Sequence, residues 1–260
     1  MLFSIDRTTC KTYLQYLKTQ KLTNKTIARH IASLRSFWHY LNKHQLVNTN
    51  PWALLNLPKA TKYLPNIIKA KHLIAFIDAI DGSTPMGTRN KLIVECLYST
   101  GIRVSELTDL TLKQVNLSQQ ELLIKGKGQT ERLVIFGNYL HTGLKTYLAH
   151  TRPQLAGPNE SAVFINKYGT KLTPRSIQRM LKEESKKQGF AQTITPHVLR
   201  HSFATDLFNG GADIRSVQEL LGHKNVVTTQ IYTHLSEELL TETFTKAHPR
   251  AKKQPPTTPS

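Results

Sequence analysis

Apolar positions recur at helical spacing from the start of the chain. Residues 7–20 put Tyr13, Leu14 and Leu17 on one face, and after LTNK a longer run repeats Ile27, Ile31, Leu34, Trp38 and Leu41. The spacing predicts a helix over each run and a further short one around Trp52 to Leu55. From Leu57 to Pro65 the period is lost: LPKATKYLP holds two prolines and two lysines and reads as an extended basic linker. Helical spacing resumes over 69–80 and 88–100, the latter ended by Gly101, a residue suited to a left-handed C-terminal cap. At Leu122 the period becomes strand-like, and LLIKGKGQTERLVIF reads as a β-hairpin turning at KGQT, with Lys127 at its lip. Helices are expected at 140–148 and 174–187, with a short strand at Val163 to Ile165. In TPHVLRHSFATDLF, Thr195 is a natural N-cap, Pro196 suits the first turn, and Leu199, Phe203 and Leu207 form a buried stripe. ADIRSVQELLGH supplies the next helix, with Ile214, Val217 and Leu221 inward. Gly222 stops it, and Asn225 caps a short helix whose stripe is Val227 and Ile231, with Tyr232 beside it. An amphipathic helix at 236–246 precedes AKKQPPTTPS, which reads as a disordered polar tail.

This order gives a mainly α protein with a small β-hairpin or sheet, in two bodies. The expected boundaries are a small basic helical domain over 1–58, a linker over 59–66, a larger mixed α+β domain over 67–247 and a tail over 248–260. Charge adds a partner to this picture. Lys plus Arg number 35 against 17 for Asp plus Glu, a formal +18 over 260 residues, so a polyanion is the expected ligand and nucleic acid comes before membrane. Lys25, Arg29 and Arg35 on the second helix, with Lys59 and Lys62 in the linker, are the candidate DNA-backbone contacts; a cationic linker between cationic lobes suits a clamp around a duplex. No apolar run approaches the ~20 residues of a spanning helix, and MLFSIDRTTC has no signal-peptide pattern, so a soluble cytoplasmic protein without membrane contact is expected. Cys10 and Cys96 are too few for a disulfide framework, and no C-x-x-C suggests zinc.

Taken singly, the candidate site residues have ordinary structural readings. His197 and Arg200, three apart, share a helical face that a solvated surface would also explain. His197 and His201 are four apart, as zinc ligands are, but HVLRH lacks the glutamate of H-E-x-x-H and sets the Arg200 cation between the histidines. Gly-Lys-Gly around Lys127 hints at a phosphate loop but lacks the G-K-[ST] that follows in an NTPase. Tyr232 on an amphipathic helix is ordinarily packing.

Taken together they are specific. The chain offers Arg103 in TGIRVSEL, Lys127 in KGKGQTERLV, His197 and Arg200 in PHVLRH, His223 in LLGH and Tyr232 in TTQIYTH. This set resembles the tyrosine recombinase (phage integrase) family, most closely its Xer-type members, in residue type, order and local context, from about residue 7 to HPRA at 248–251. The resemblance implies a helical, SAM-like core-binding domain followed by a mixed α+β catalytic domain. It also implies a DNA strand-exchange enzyme forming a 3′-phosphotyrosyl link at Tyr232 and releasing a 5′-hydroxyl, with no metal, cofactor or ATP. The chemistry accounts for the residue types. Phosphoryl transfer is mostly positioning and charge stabilisation, and the guanidiniums of Arg103 and Arg200 match phosphate geometry without losing charge. His197 and His223 donate further hydrogen bonds, or one of them takes the phenol's proton. A phenol of pKa ~10 needs that neighbourhood to attack, and Lys127 suits the acid that protonates the departing 5′-oxygen. Glu106, three residues after Arg103, is expected to orient it.

The same resemblance implies a homo- or hetero-tetramer of recombinase subunits on two double-stranded DNA molecules, with a DNA translocase as a frequent activator. The last amphipathic helix, through Leu239, Leu240 and Phe244, either docks on a neighbouring subunit or folds back on its own domain. Xer-type proteins usually also have a first core-binding helix, and this sequence begins after that point, through divergence or a start codon placed too late, so an incomplete DNA clamp is expected. Chromosome or plasmid dimer resolution is the leading role. Integration of a phage or mobile element, a type IB topoisomerase and a non-catalytic DNA-binding protein are the alternatives.

Overall fold

Asp6 starts α1 (Arg7–Thr19) by accepting the backbone N–H of Thr9 at 2.8 Å, and Thr23 starts α2 (Asn24–Lys43) by accepting that of Thr26 at 3.2 Å. The α2 stripe of Ile27, Ile31, Trp38 and Leu41 is buried against Cys10 and Leu17 of α1 and against Trp52 and Leu55. Residues 51–54 form turns instead of the expected helix. Side chains there take the backbone groups a helix would use. Trp52 N–H donates to Asn50 Oδ1 at 3.1 Å, and Arg35 donates to the carbonyls of Trp52 at 3.2 Å and Leu55 at 3.3 Å. This computed structural model describes residues 5–55, 68–126, 131–222 and 237–252. The chain divides into compact units at Met1–Asn66 and Ile67–Ser260.

In the larger unit, α3 (Ala70–Asp78) packs on α4 (Pro85–Thr100), which Thr84 caps through the N–H of Gly87 at 3.0 Å. Every α4 residue from Leu92 to Thr100 is buried, so this helix is the axis of the core. After α5 (Val104–Asp109) come the antiparallel strands β1 (Val115–Asn116), β2 (Glu121–Lys125) and β3 (Glu131–Ile135), in that order across the sheet. Leu122 pairs with Val134 and Ile124 with Arg132, placing Leu122, Ile124 and Val134 in the core. The expected hairpin strands are present; the KGQT turn lies outside the described residues.

Next, α6 (Asn138–Thr146) runs through a π turn (Tyr147–Thr151) into α7 (Arg152–Leu155), where Pro153 has no N–H to continue the ladder. The strand expected at Val163 to Ile165 is replaced by isolated bridges, Thr111 to Ala162 and Ile165 to Lys171. Side chains take two of its carbonyls, Tyr147 Oη donating to Val163 O at 3.1 Å and Arg89 to Ile165 O at 2.6 Å, and Arg152 Nε donates to the adjoining Ala162 O at 2.9 Å.

Thr173 and Thr195 cap α8 (Pro174–Lys187) and α9 (Pro196–Asn209), each with proline in its first turn. Asp213 caps α10 (Ile214–Leu221). Ile214, expected inward, is exposed, because Ala212 from the preceding loop fills that end of the stripe beside Val217, Leu220 and Leu221. In α11 (Glu237–Ala247), Phe244 is buried in its own unit against α9 and α10, whereas Leu239 is exposed. Residues 248–252 are not the start of a disordered tail. They continue into α12 (Pro249–Lys252), with His248, Arg250 and Ala251 buried. A partner distant in sequence explains this. Glu95, buried on α4, pairs with Arg250 at 3.0 Å, which also reaches Asp78 at 3.0 Å and lies 4.3 Å from the centre of the Tyr139 ring.

Candidate active site

The site begins with a turn that requires glycine. Gly101 ends α4 at φ 61°, and a Cβ there would lie 2.3 Å from the Phe203 ring of α9. The turn buries Ile102 and delivers Arg103 to the N-terminus of α5. Glu106, one helical turn on, accepts the Arg103 backbone N–H at 2.8 Å and its guanidinium at 2.9 Å. Both carboxylate oxygens also accept from Arg132 on β3, each at 2.9 Å, in a fork-to-fork pair. Burial pushes the Glu106 carboxyl up, but the hydrogen bonds from Arg132 and from the Arg103 backbone, with the charge of Arg132, outweigh it and hold the group at about 2. Glu106 is therefore anionic across the working pH range. Arg103 keeps 46% of its side-chain surface exposed, enough to meet a ligand.

Arg200 reaches the same place from α9. Its guanidinium donates to the carbonyl of Gly101 and, at 2.7 Å, to the carbonyl of Leu221 at the end of α10. One side chain thus ties the turn before Arg103 to the residue before Gly222. Burial, followed by the neighbouring Arg103 charge, draws the Arg200 guanidinium down to about 10, so it stays cationic at neutral pH. Arg103, Arg132 and Arg200 gather around the Glu106 carboxylate, which leaves positive charge in excess for a phosphodiester.

His197 is exposed in the first turn of α9, three residues before Arg200. His201 is half-buried, and its Nε2 has no hydrogen-bond partner among the described residues. Gly222 ends α10 at φ 65°. His223, Tyr232, Lys127, Lys59 and Lys62 lie outside the described residues. Lys25 and Arg29 are exposed on α2. Arg35, expected to face DNA, is half-buried and engaged by carbonyls of its own unit. Among the described residues no group of three or more His, Cys, Asp or Glu is placed to hold a metal, and no helix is long and apolar enough to cross a membrane. Sequence reasoning overlooked Arg132. Its signal was parity: it shares the inward face of β3 with Val134, where an apolar residue is the ordinary choice.

A basic helical unit joined to a larger unit that concentrates guanidiniums suits a phosphate-bearing polyanion as ligand. Residues 66–238 match the model of the Phage integrase family, and residues 2–45 match the Phage integrase, N-terminal SAM-like domain. The chain is 44% identical over 246 residues to tyrosine recombinase XerC of Bacillus pumilus, covering 93% of this chain and 81% of that protein. It is 39% identical over 249 residues to tyrosine recombinase XerD of Halalkalibacterium halodurans, covering 95% and 83%. Among solved structures, the XerH site-specific recombinase bound to difH substrate, a pre-cleavage complex, aligns with TM-score 0.68 at 28% identity, over 93% of this chain and 70% of that one. The chain belongs to the phage integrase family and is a tyrosine recombinase of the XerC/XerD kind, an enzyme that breaks and rejoins DNA.

Proposed function

We propose that this recombinase exchanges strands at a specific DNA site through a 3′-phosphotyrosyl intermediate on Tyr232, in the service of chromosome or plasmid dimer resolution. The observation that carries the reading is the convergence of Arg103, at the start of α5 and held by Glu106, with Arg200 of α9, held by the carbonyls of Gly101 and Leu221. Two guanidiniums held by carbonyls and a carboxylate lose little side-chain freedom when a phosphate arrives, so the charge that builds on its non-bridging oxygens is met without rearrangement. Arg103 is the more accessible of the pair and grips the phosphate directly. Arg200, anchored at two carbonyls, presents its remaining N–H groups. In this reading His197 and His223 complete the hydrogen bonding, one of them accepts the phenol proton as Tyr232 attacks phosphorus, and Lys127 protonates the 5′-oxygen as it leaves. The ester stores the bond energy, so rejoining needs no ATP.

Double-stranded DNA is the partner, with Lys25 and Arg29 of the helical unit, and Lys59 and Lys62 of the linker, as backbone contacts. The working assembly is a homo- or hetero-tetramer of recombinase subunits on two duplexes, in the cytoplasm, and activation by a DNA translocase belongs to the same reading. The test is a suicide duplex nicked beside the recognition site. Wild-type enzyme is expected to form a covalent protein–DNA adduct that survives denaturant and high salt, and Tyr232→Phe to form none. Binding that salt reverses fully in both proteins would refute the reading and leave a non-catalytic DNA-binding protein.

A further inference from the structure

We propose that Arg132 is a positioning residue for strand cleavage, setting Arg103 and Arg200 relative to one another without touching the DNA; this rests on the recombinase reading above. A cation on the inward face of β3 is costly unless it is paired, and Arg132 is paired there through both terminal nitrogens, while its buried Nε has no hydrogen-bond partner among the described residues. Its terminal nitrogens fork onto both oxygens of Glu106, each at 2.9 Å, the carboxylate that also holds the Arg103 backbone and side chain. Its stem lies against Gly222: a Cβ on that glycine would fall 2.8 Å from Arg132 Cδ and Nε. Gly222 follows Leu221, whose carbonyl anchors Arg200. Arg132 therefore stands between the support of one guanidinium and the support of the other.

The arrangement also settles how Arg103 is shared. With both Glu106 oxygens occupied by Arg132, the carboxylate orients Arg103 while much of its own charge is already answered. Without Arg132, the Glu106–Arg103 pair would tighten and withdraw the Arg103 charge from an incoming phosphate. The Arg132 side chain is only 18% exposed, so a direct grip on the duplex is not its task.

The experiment is single-turnover adduct formation on the nicked duplex at saturating DNA, with DNA affinity measured separately. Arg132→Gln is expected to slow adduct formation about tenfold or more while affinity stays within about twofold of wild type. Because Arg132 acts through Glu106, the Glu106→Gln/Arg132→Gln double variant is expected to be no slower than the slower single variant. Arg132→Lys keeps the charge but offers one ammonium in place of a fork, and an intermediate rate is expected. Should the Gln variant fail to fold, the Lys variant carries the test, with slowed cleavage and intact binding expected. Wild-type rates in the folded variant, losses that multiply in the double variant, or affinity falling in step with rate would each overturn the proposal. If the wild-type enzyme forms no adduct, the recombinase reading itself falls and takes this one with it.

Discussion

Replacing Glu106 with glutamine tests the electrostatics of the site in one atom. The carboxylate accepts four hydrogen bonds, two from Arg103 and two from Arg132, at 2.8 to 2.9 Å. Glutamine has the same shape, but its amide sets N–H groups against guanidinium N–H groups and leaves a largely buried cation without its anion. A carboxyl moved from 4.5 to about 2 on folding corresponds to about 3 kcal/mol, at ~1.36 kcal/mol per tenfold change in acidity. The folded-state value is depressed, so this stability is present in full above about pH 4.5 and is lost as pH falls toward 2. Urea unfolding of wild type and Glu106→Gln at pH 7, 4 and 3 should therefore show a gap that is widest at pH 7 and narrows as the solution is acidified. Circular dichroism is the suitable probe, since both tryptophans, Trp38 and Trp52, lie in the smaller unit. The variant should also cleave about tenfold more slowly or worse, as Arg103 loses its orientation. A gap that is the same at every pH, or wild-type cleavage, would refute the reasoning.

Two further substitutions probe the frame of the site. Gly101→Ala forces a left-handed φ on a residue with Cβ, at about 1–2 kcal/mol, and drives that Cβ into Phe203, at about 1–3 kcal/mol more. It should lower the melting temperature of the catalytic unit and weaken cleavage, because Arg200 hydrogen-bonds the Gly101 carbonyl; an unchanged melt would contradict the packing described here. Arg250→Met leaves Glu95 buried without its cation and should destabilise the same unit by about 3–5 kcal/mol in urea unfolding. A loss below about 1 kcal/mol would mean that the C-terminal segment is not anchored there.

Local signals carried far in this chain. Stripes such as Ile27–Ile31–Trp38–Leu41, N-caps such as Thr195 and the alternation of the hairpin depend on neighbours a few residues apart, and each reads directly from the letters. The failures have long-range causes. Arg35 unmakes a helix at 51–54 from 17 and 20 residues away, and Arg89 and Tyr147 take carbonyls that a strand at 163–165 would have paired. His248 and Arg250 look like tail residues because the acids that bury Arg250, Asp78 and Glu95, sit far back in the sequence. At the site, the three-residue step from Arg103 to Glu106 suggests a contact in advance, and 2.9 Å separates them. The second guanidinium on Glu106 arrives from β3, 26 positions away, and only the inward parity of Arg132 hinted at it.

In the proposed mechanism the cations gathered at Glu106 direct the phenol of Tyr232 onto a phosphodiester. Its most direct test is to trap the adduct on the nicked duplex, digest it with trypsin and nuclease, and locate the nucleotide by mass spectrometry. The peptide Asn225–Lys246 contains a single tyrosine. A nucleotide joined through its 3′-phosphate to Tyr232 in that peptide is the predicted result; attachment to another residue, or through a 5′-phosphate, would contradict the account.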